Sequence, residues 1–250
     1  MGEADGAQSV TAALVVIGDE VLSGRTKDKN IGHIAERLTQ VGIDLREVRV
    51  VADVEDDIVA AINALRSRFS YVFTTGGIGP THDDITADAV AKAFGVAIDV
   101  DPRARALLLE YIPEADLNEA RLRMARIPAG ASLVVNEVSK APGFRIENVI
   151  VMAGVPRIMQ AMLEAVLPEL DKGVPMLSET LLAGAKEGDI AAPLKEIAAR
   201  YPAALIGSYP FRDENGAPNA HLVVRARDPE VLAAAREDVA QMLARRDWAR

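Results

Sequence analysis

The chain has 250 residues, enough to bury a proper core as one large domain or as one large and one small. Half of it is apolar, 4% is aromatic, and the formal net charge is −9, which argues against a nucleic-acid or membrane-surface partner, because both require a basic face. Absence of cysteine excludes a disulfide framework, a thiolate nucleophile and a Cys-ligated metal, and no run approaches the roughly 20 apolar residues of a membrane span.

Met1 to Val10 is polar and acidic with no apolar signal core, so residues 1–11 are expected to form a loose tail and the protein to be cytoplasmic. Ala12 to Ile17 is a continuous apolar run, the form of a buried parallel strand, and it exits into Gly18-Asp19-Glu20. Acids just beyond a strand's carboxyl end stand where ligands bind in doubly wound sheets, although a solvated loop pair is the alternative. Helical spacing of Ile31, Ile34, Ala35 and Leu38 predicts a helix over 30–40 that stops at Gly42, with Asn30 either its cap or a ligand contact. A second strand over 43–51 ends before Asp53, and a helix over 55–68 follows. Alternation of strands and helices implies right-handed βαβ units and a mostly parallel sheet, whose strand exits share one edge. Asp19, Glu20, Asp53 and the loop over 76–84 are therefore expected to converge.

That loop is the most informative stretch. Tyr71 to Thr75 is a β-rich run, Gly76-Gly77-Ile78-Gly79-Pro80-Thr81-His82-Asp83-Asp84 is a turn, and Ile85 to Gly95 is helical. Gly76, Gly77 and Gly79 let main-chain N–H groups face a phosphate, and the helix start adds its own unpaired donors. Thr74, Thr75 and Thr81 supply hydroxyls. Asp83 and Asp84 have two readings: helix N-terminal acids, or ligands holding Mg²⁺ against the phosphates that they would otherwise repel. His33, His82 and His221 show no metal-ligand spacing.

Beyond Gly95 the pattern predicts a short strand over 96–100, a helix over 102–111, a segment Asn118 to Pro128 bearing Arg121, Arg123 and Arg126, a turn at 140–144, a strand over 149–152 and a helix over 157–170. Asp171-Lys172-Gly173-Val174-Pro175 marks a boundary, giving domains of 12–172 and 173–250. The second reads as strand 176–183, helix 189–201, strand 203–207, a turn at Asn215-Gly216, strand 221–226 and helix 229–245, a small α+β domain.

The string from Thr74 to Thr86 resembles the signature of the molybdopterin-binding (MoaB/Mog-like) domain family. Within it, the sequence is most similar to the competence/damage-inducible protein A N-terminal domain and the related domain of eukaryotic FAD synthase. The resemblance extends over 12–170 and, through shorter turns, into 176–245. It implies an α/β fold with a mostly parallel sheet and helices on both faces, a three-layer domain, plus the small C-terminal α+β domain. It also implies a phosphorylated small-molecule ligand, either molybdopterin or a nucleotide, and a homo-oligomer, dimer or trimer. The Gly18-Asp19-Glu20 turn, Asn118 and Arg121, the Lys140-Ala141-Pro142-Gly143-Phe144 turn and the Gly154-Val155-Pro156 turn match family strings and join the expected binding set, although Ala153 replaces a proline usual there.

Two branch activities bear on the chain. One is pyrophosphate hydrolysis of ADP-ribose or FAD with Mg²⁺, Mn²⁺ or Co²⁺. The other is adenylylation of molybdopterin, and binding without catalysis stands as a third reading. The first is favoured here, with Asp84, Asp53 and Glu20 as catalytic candidates and Asp83 and Asp84 as metal ligands. Neither the amidohydrolase nor the synthase domain found in those branches is expected in this sequence, so any such activity is expected to reside elsewhere.

Overall fold

The computed structural model describes residues 9–245. The expected tail therefore lies outside the described residues as far as position 8, and Thr11 already belongs to the first strand. Within the described residues the chain divides into two compact units, between Gly173 and Val174.

The first unit opens with β1 (Thr11–Ile17), a one-turn helix α1 (Asp19–Leu22), α2 (Asn30–Gln40), β2 (Asp44–Val51), α3 (Glu55–Arg66), β3 (Tyr71–Thr75) and α4 (Thr86–Phe94). It continues with β4 (Ile98–Val100), α5 (Pro102–Leu109), α6 (Glu119–Leu122), β5 (Arg126–Pro128), β6 (Ser132–Val134), β7 (Gly143–Ile146), β8 (Val149–Met152) and α7 (Pro156–Val166). A six-stranded sheet runs in the order β2-β1-β3-β8-β7-β6. The first four strands are parallel, and β7 and β6 complete the sheet through antiparallel pairings. β4 and β5 form a separate antiparallel pair.

Alternation along each strand explains why helices cover both faces. Ala13 and Val15 of β1, Val72 of β3 and Val149 and Val151 of β8 bury against Ile58 and Ile62 of α3 and Ala89 and Val90 of α4. Leu14, Phe73, Ile150 and Met152 point the other way, onto Ile34 and Leu38 of α2 and Met159 and Leu163 of α7. Each such side chain, fully withdrawn from water, contributes about 1.5–3 kcal/mol. Covered on both faces, the sheet leaves its strand-end loops as the exposed ground for polar chemistry.

Short elements depart from the sequence reading. The segment 118–128 contains α6 and β5, and the expected turn at 140–144 runs into β7 at Gly143. Strands of three or four residues are too short to display a period.

The second unit comprises β9 (Leu177–Leu182), α8 (Glu187–Arg200), β10 (Leu205–Arg212), β11 (Pro218–Ala226) and α9 (Pro229–Arg245). Its sheet has the order β10-β11-β9, with β11 antiparallel to both neighbours. Ile190, Leu194 and Ile197 of α8 and Leu232, Ala235 and Val239 of α9 share one core with Ala220, Leu222, Val224 and Ala226 of β11. β10 extends five residues past the predicted end at Gly207, through Pro210, because an edge strand tolerates a residue that cannot donate a ladder hydrogen bond.

Candidate functional site

A cleft of about 650 Å³ lies at the carboxyl ends of β1, β2, β3 and β8 in the first unit. Its floor is the turn between β3 and α4. Gly76 has φ +104°, and a Cβ there would lie 2.1 Å from the Ile17 carbonyl oxygen; Gly77 has φ +66°, with a Cβ 2.2 Å from Thr86 Oγ1. Only glycine fits either place. Thr86, buried at the start of α4, ties the turn down: its hydroxyl donates to the Gly76 carbonyl at 2.9 Å and its N–H to the Gly77 carbonyl at 2.9 Å. Among the described residues the N–H groups of Gly77, Ile78 and Gly79 have no protein acceptor, so three donors remain for a ligand in the loop flooring the cleft.

Carboxylates gather around that floor. Glu20, Asp53, Asp83 and Asp84 all line the cleft, together with Gly18, Pro80, Gly154 and Pro156. Asp53 Oδ2 accepts the Asp19 N–H at 2.9 Å, which fixes the β2 exit loop against the β1 exit loop. Partial burial raises the proton affinity of Asp53 above the usual 3.8; that hydrogen bond opposes the shift, and the negative charges of Asp19, Glu20 and Asp83 add to it. Asp83, solvent-exposed, is instead held below the ordinary carboxylate value, first by hydrogen bonding from Thr81. Two acids in one cleft are thus pushed in opposite directions, the condition for assigning separate charge and proton-transfer roles.

Asp84 is half fixed. Its Oδ2 accepts the Thr81 N–H at 2.7 Å and the Thr81 hydroxyl at 2.5 Å, so it closes the turn and has one carboxylate oxygen left over. Among the described residues no group of three or more His, Cys, Asp or Glu is arranged to hold a metal ion. A donor set of carboxylates alone, with one or two in reach, matches a hard cation that keeps water and shares phosphate oxygens, the Mg²⁺ pattern, and not a dedicated protein cage. Asp83 and the free oxygen of Asp84 are the turn carboxylates that could contact such an ion.

A second, smaller cavity of about 220 Å³ adjoins the first, sharing Glu20, Thr26, Gly154 and Pro156 with it. Asn30 and Thr75 line it. Asn30 is not the helix cap: Asp28 Oδ1 takes that role, accepting the N–H groups of Asn30 at 3.1 Å and Ile31 at 2.8 Å. Asn30 Nδ2 instead donates to the Gly154 carbonyl at 2.8 Å, while its Oδ1 and the Thr75 hydroxyl are buried without a partner. A buried polar atom left unpaired costs about 1–3 kcal/mol, so both groups fit ligand contact. The Thr74 hydroxyl is likewise buried and unpartnered, but Thr74 lines neither cavity.

Other expected residues stand apart from the cleft lining. Asn118 caps α6, its Oδ1 accepting the Arg121 N–H at 3.0 Å, and Arg121 Nη1 turns to the Asp116 carbonyl at 2.5 Å. Lys140 is drawn to Glu137 and, at 3.1 Å, to Glu110, two carboxylates that raise its proton affinity and compete with any phosphate. Asp19 contributes its N–H, Thr81 braces Asp84, and Pro142 is buried behind the glycine turn beside Gly77 and Gly79.

Several residues have roles that the sequence reading did not assign. Arg123, between the two arginines at 121 and 126, donates to the Asp84 carbonyl at 3.0 Å and supports the turn from behind. Asn136 knots the 136–141 loop, with Oδ1 accepting from the Val138 and Ser139 N–H groups and Nδ2 donating to Ala141, which brings Ser139 and Ala141 to the cleft. Ile112 and Met124, packed against one core, and Ile158 and Met162, belonging to the core on the opposite face of the sheet, line the cleft with apolar surface, and Tyr111, 69% exposed, lines it too. The one available signal was Tyr111, an aromatic residue in an aromatic-poor chain.

A doubly wound α/β domain with a glycine-turn cleft at the carboxyl edge of its sheet is the class these features define. Residues 13–172 match the model of the probable molybdopterin binding domain, and the chain belongs to that family. Residues 175–249 match the middle domain of FAD synthase. A protein of Pyrobaculum calidifontis is 34% identical over 230 residues, 88% of each chain, and one of Pyrobaculum arsenaticum is 36% identical over 226 residues, 86% of this chain and 85% of that one. Among solved structures, a CinA protein of unknown function from Thermoplasma acidophilum superposes with a TM-score of 0.61 at 34% identity, covering 64% of this chain and 98% of that one. Among the described residues no helix is long and apolar enough to cross a membrane.

Proposed function

We propose that the chain is a metal-dependent pyrophosphatase acting on a nucleotide cofactor of the ADP-ribose or FAD type. The observation that carries this reading is the placement of Asp53, an acid of raised proton affinity, in one cleft with three unpaired loop N–H groups and the carboxylates of Asp83 and Asp84. An anion cradle surrounded by acids attracts a phosphate only when a cation offsets the repulsion.

The N–H groups of Gly77, Ile78 and Gly79 bind one phosphate and stabilise the charge that grows on its oxygens. Asp83 and Asp84 would hold a divalent ion, which would supply charge neutralisation at the pyrophosphate. Asp53 takes the proton from the attacking water, its basicity lifted by burial and by neighbouring carboxylates. The apolar wall of Ile112 and Met124 receives a planar ring and excludes water from one side, while Asn30 and Thr75 offer an acceptor and a hydroxyl to the sugar or second phosphate.

Incubation with FAD, ADP-ribose or NAD, each with Mg²⁺, Mn²⁺ or Co²⁺ and with a chelator control, tests the reading by AMP release. Metal-dependent AMP from FAD or ADP-ribose supports it. No AMP from any pairing removes the hydrolase reading and leaves pterin adenylylation or binding, which ATP-dependent labelling of molybdopterin then separates.

A further inference from the structure

Among the described residues the sheet of the second unit is covered by α8 and α9 on one face only. By register, positions 178, 180 and 182 of β9, 205, 207, 209 and 211 of β10, and 219, 221, 223 and 225 of β11 share the other face. None of them is Asp or Glu. The chain has only 10 Phe, Trp and Tyr residues, yet Tyr209 and Phe211 both lie here, and Tyr209 is 52% exposed. The Phe211 ring stacks on His221 with centroids 4.3 Å apart and planes 8° from parallel. Tyr209 lies along the sheet over Gly207, where a Cβ would meet its ring at 3.0 Å. The glycine therefore gives room for a ring lying on the sheet surface. Arg225 stands two residues along β11 from Val223 and four from His221, on the same face, and its side chain makes no ion pair or hydrogen bond among the described residues.

We propose that this open face is a binding platform for a planar heteroaromatic ring carrying an anionic group, a ligand of the mononucleotide class. The Tyr209 ring, lying over Gly207 opposite Val223, is the stacking surface about 7 Å along the strand from Arg225, which supplies the countercharge at a ring-to-phosphate reach, and His221 and Phe211 extend the aromatic surface beyond it. The acid-free surface is the feature that selects an anion, in a chain whose charge is otherwise negative. A second copy of the chain fits the face less well: three strands of about eight residues span roughly 400 Å², so a face-to-face pair buries about 800 Å², below the ~1,200 Å² of stable interfaces. The platform is independent of the cleft chemistry.

Titration of FMN against the full chain tests it, because stacking on an aromatic side chain quenches flavin fluorescence and FMN has no pyrophosphate for the cleft to cleave. Saturable quenching is expected, weakened about 10-fold or more by Tyr209→Ala and by Phe211→Ala. Arg225→Gln should weaken FMN about 10-fold and leave uncharged riboflavin unchanged. Unfolding curves of the variants that overlay the wild type show that the sheet itself is intact. The proposal is overturned by absence of quenching at millimolar FMN, by quenching that survives the Tyr209→Ala/Phe211→Ala double variant, or by sedimentation showing a dimer that the same substitutions dissociate. Binding of a ten-nucleotide single strand more than about 100-fold tighter than FMN would also overturn it, in favour of a nucleic-acid surface.

Discussion

The two units handle polar chemistry in opposite places. In the first, both faces of the sheet are sealed by helices, so Glu20, Asp53 and the 76–84 turn carry function on loops beyond the strand ends. In the second, helices seal one face and the other presents Tyr209, Phe211, His221 and Arg225 directly from the strands. The difference teaches that coverage of the sheet decides where a ligand is met: at a sealed sheet's edge through backbone donors, or on an open sheet's face through side chains.

The largest effect expected on the edge side is from Asp84→Asn. The amide keeps an oxygen for the Thr81 N–H and hydroxyl, so the turn survives, but the charge facing the cation is lost, and AMP release should fall about 10²–10³-fold with an unchanged unfolding curve. Gly76→Ala follows. A Cβ pressed against the Ile17 carbonyl at positive φ should destabilise the first unit by about 3 kcal/mol in denaturant titration. Thr75→Val removes a buried hydroxyl without a partner and should leave the free protein equal or up to about 1 kcal/mol more stable, while weakening ligand binding. On the open-face side, Tyr209→Ala should change stability by less than about 0.5 kcal/mol, since a half-exposed ring contributes little to the core. Similar stability costs at Gly76 and Tyr209 would break the comparison.

Asp53→Asn sharpens it through pH. The folded-state proton affinity of Asp53 is raised above 3.8, so its contribution favours the fold below that value and is lost as pH rises through the raised one. The asparagine variant should therefore melt higher than wild type at neutral pH, with the gap closing as pH falls towards 3.8.

Much of this was legible in sequence. The run from Thr74 to Thr86 declared the strand, glycine turn and helix, and βα alternation placed Glu20 and Asp53 beside it. Asn30 was open between cap and ligand contact, and the position of Asp28 removes the cap reading. Lys140 and Arg121 stand outside the cleft lining because nearby partners, Glu110 and the Asp116 carbonyl, hold them through contacts that a linear reading does not register. Arg123 and Asn136 lie in segments that the sequence reading quoted, but their bonds to the Asp84 carbonyl and within the 136–141 loop are contacts that a linear reading does not register. The aromatic platform was hidden because the strand reads as ending at Gly207, whereas β10 runs on through Pro210 to Arg212 and so carries Tyr209 and Phe211.

The central claim is that Asp53 is the proton acceptor in hydrolysis of a bound pyrophosphate. Its most direct test is the pH dependence of Mg²⁺-supported AMP release from ADP-ribose by wild type and Asp53→Asn. The account predicts a wild-type rate that climbs with pH through a midpoint above 3.8, and a variant about 10²–10⁴-fold slower in which that limb is gone. A variant with the wild-type rate and the same limb would contradict it.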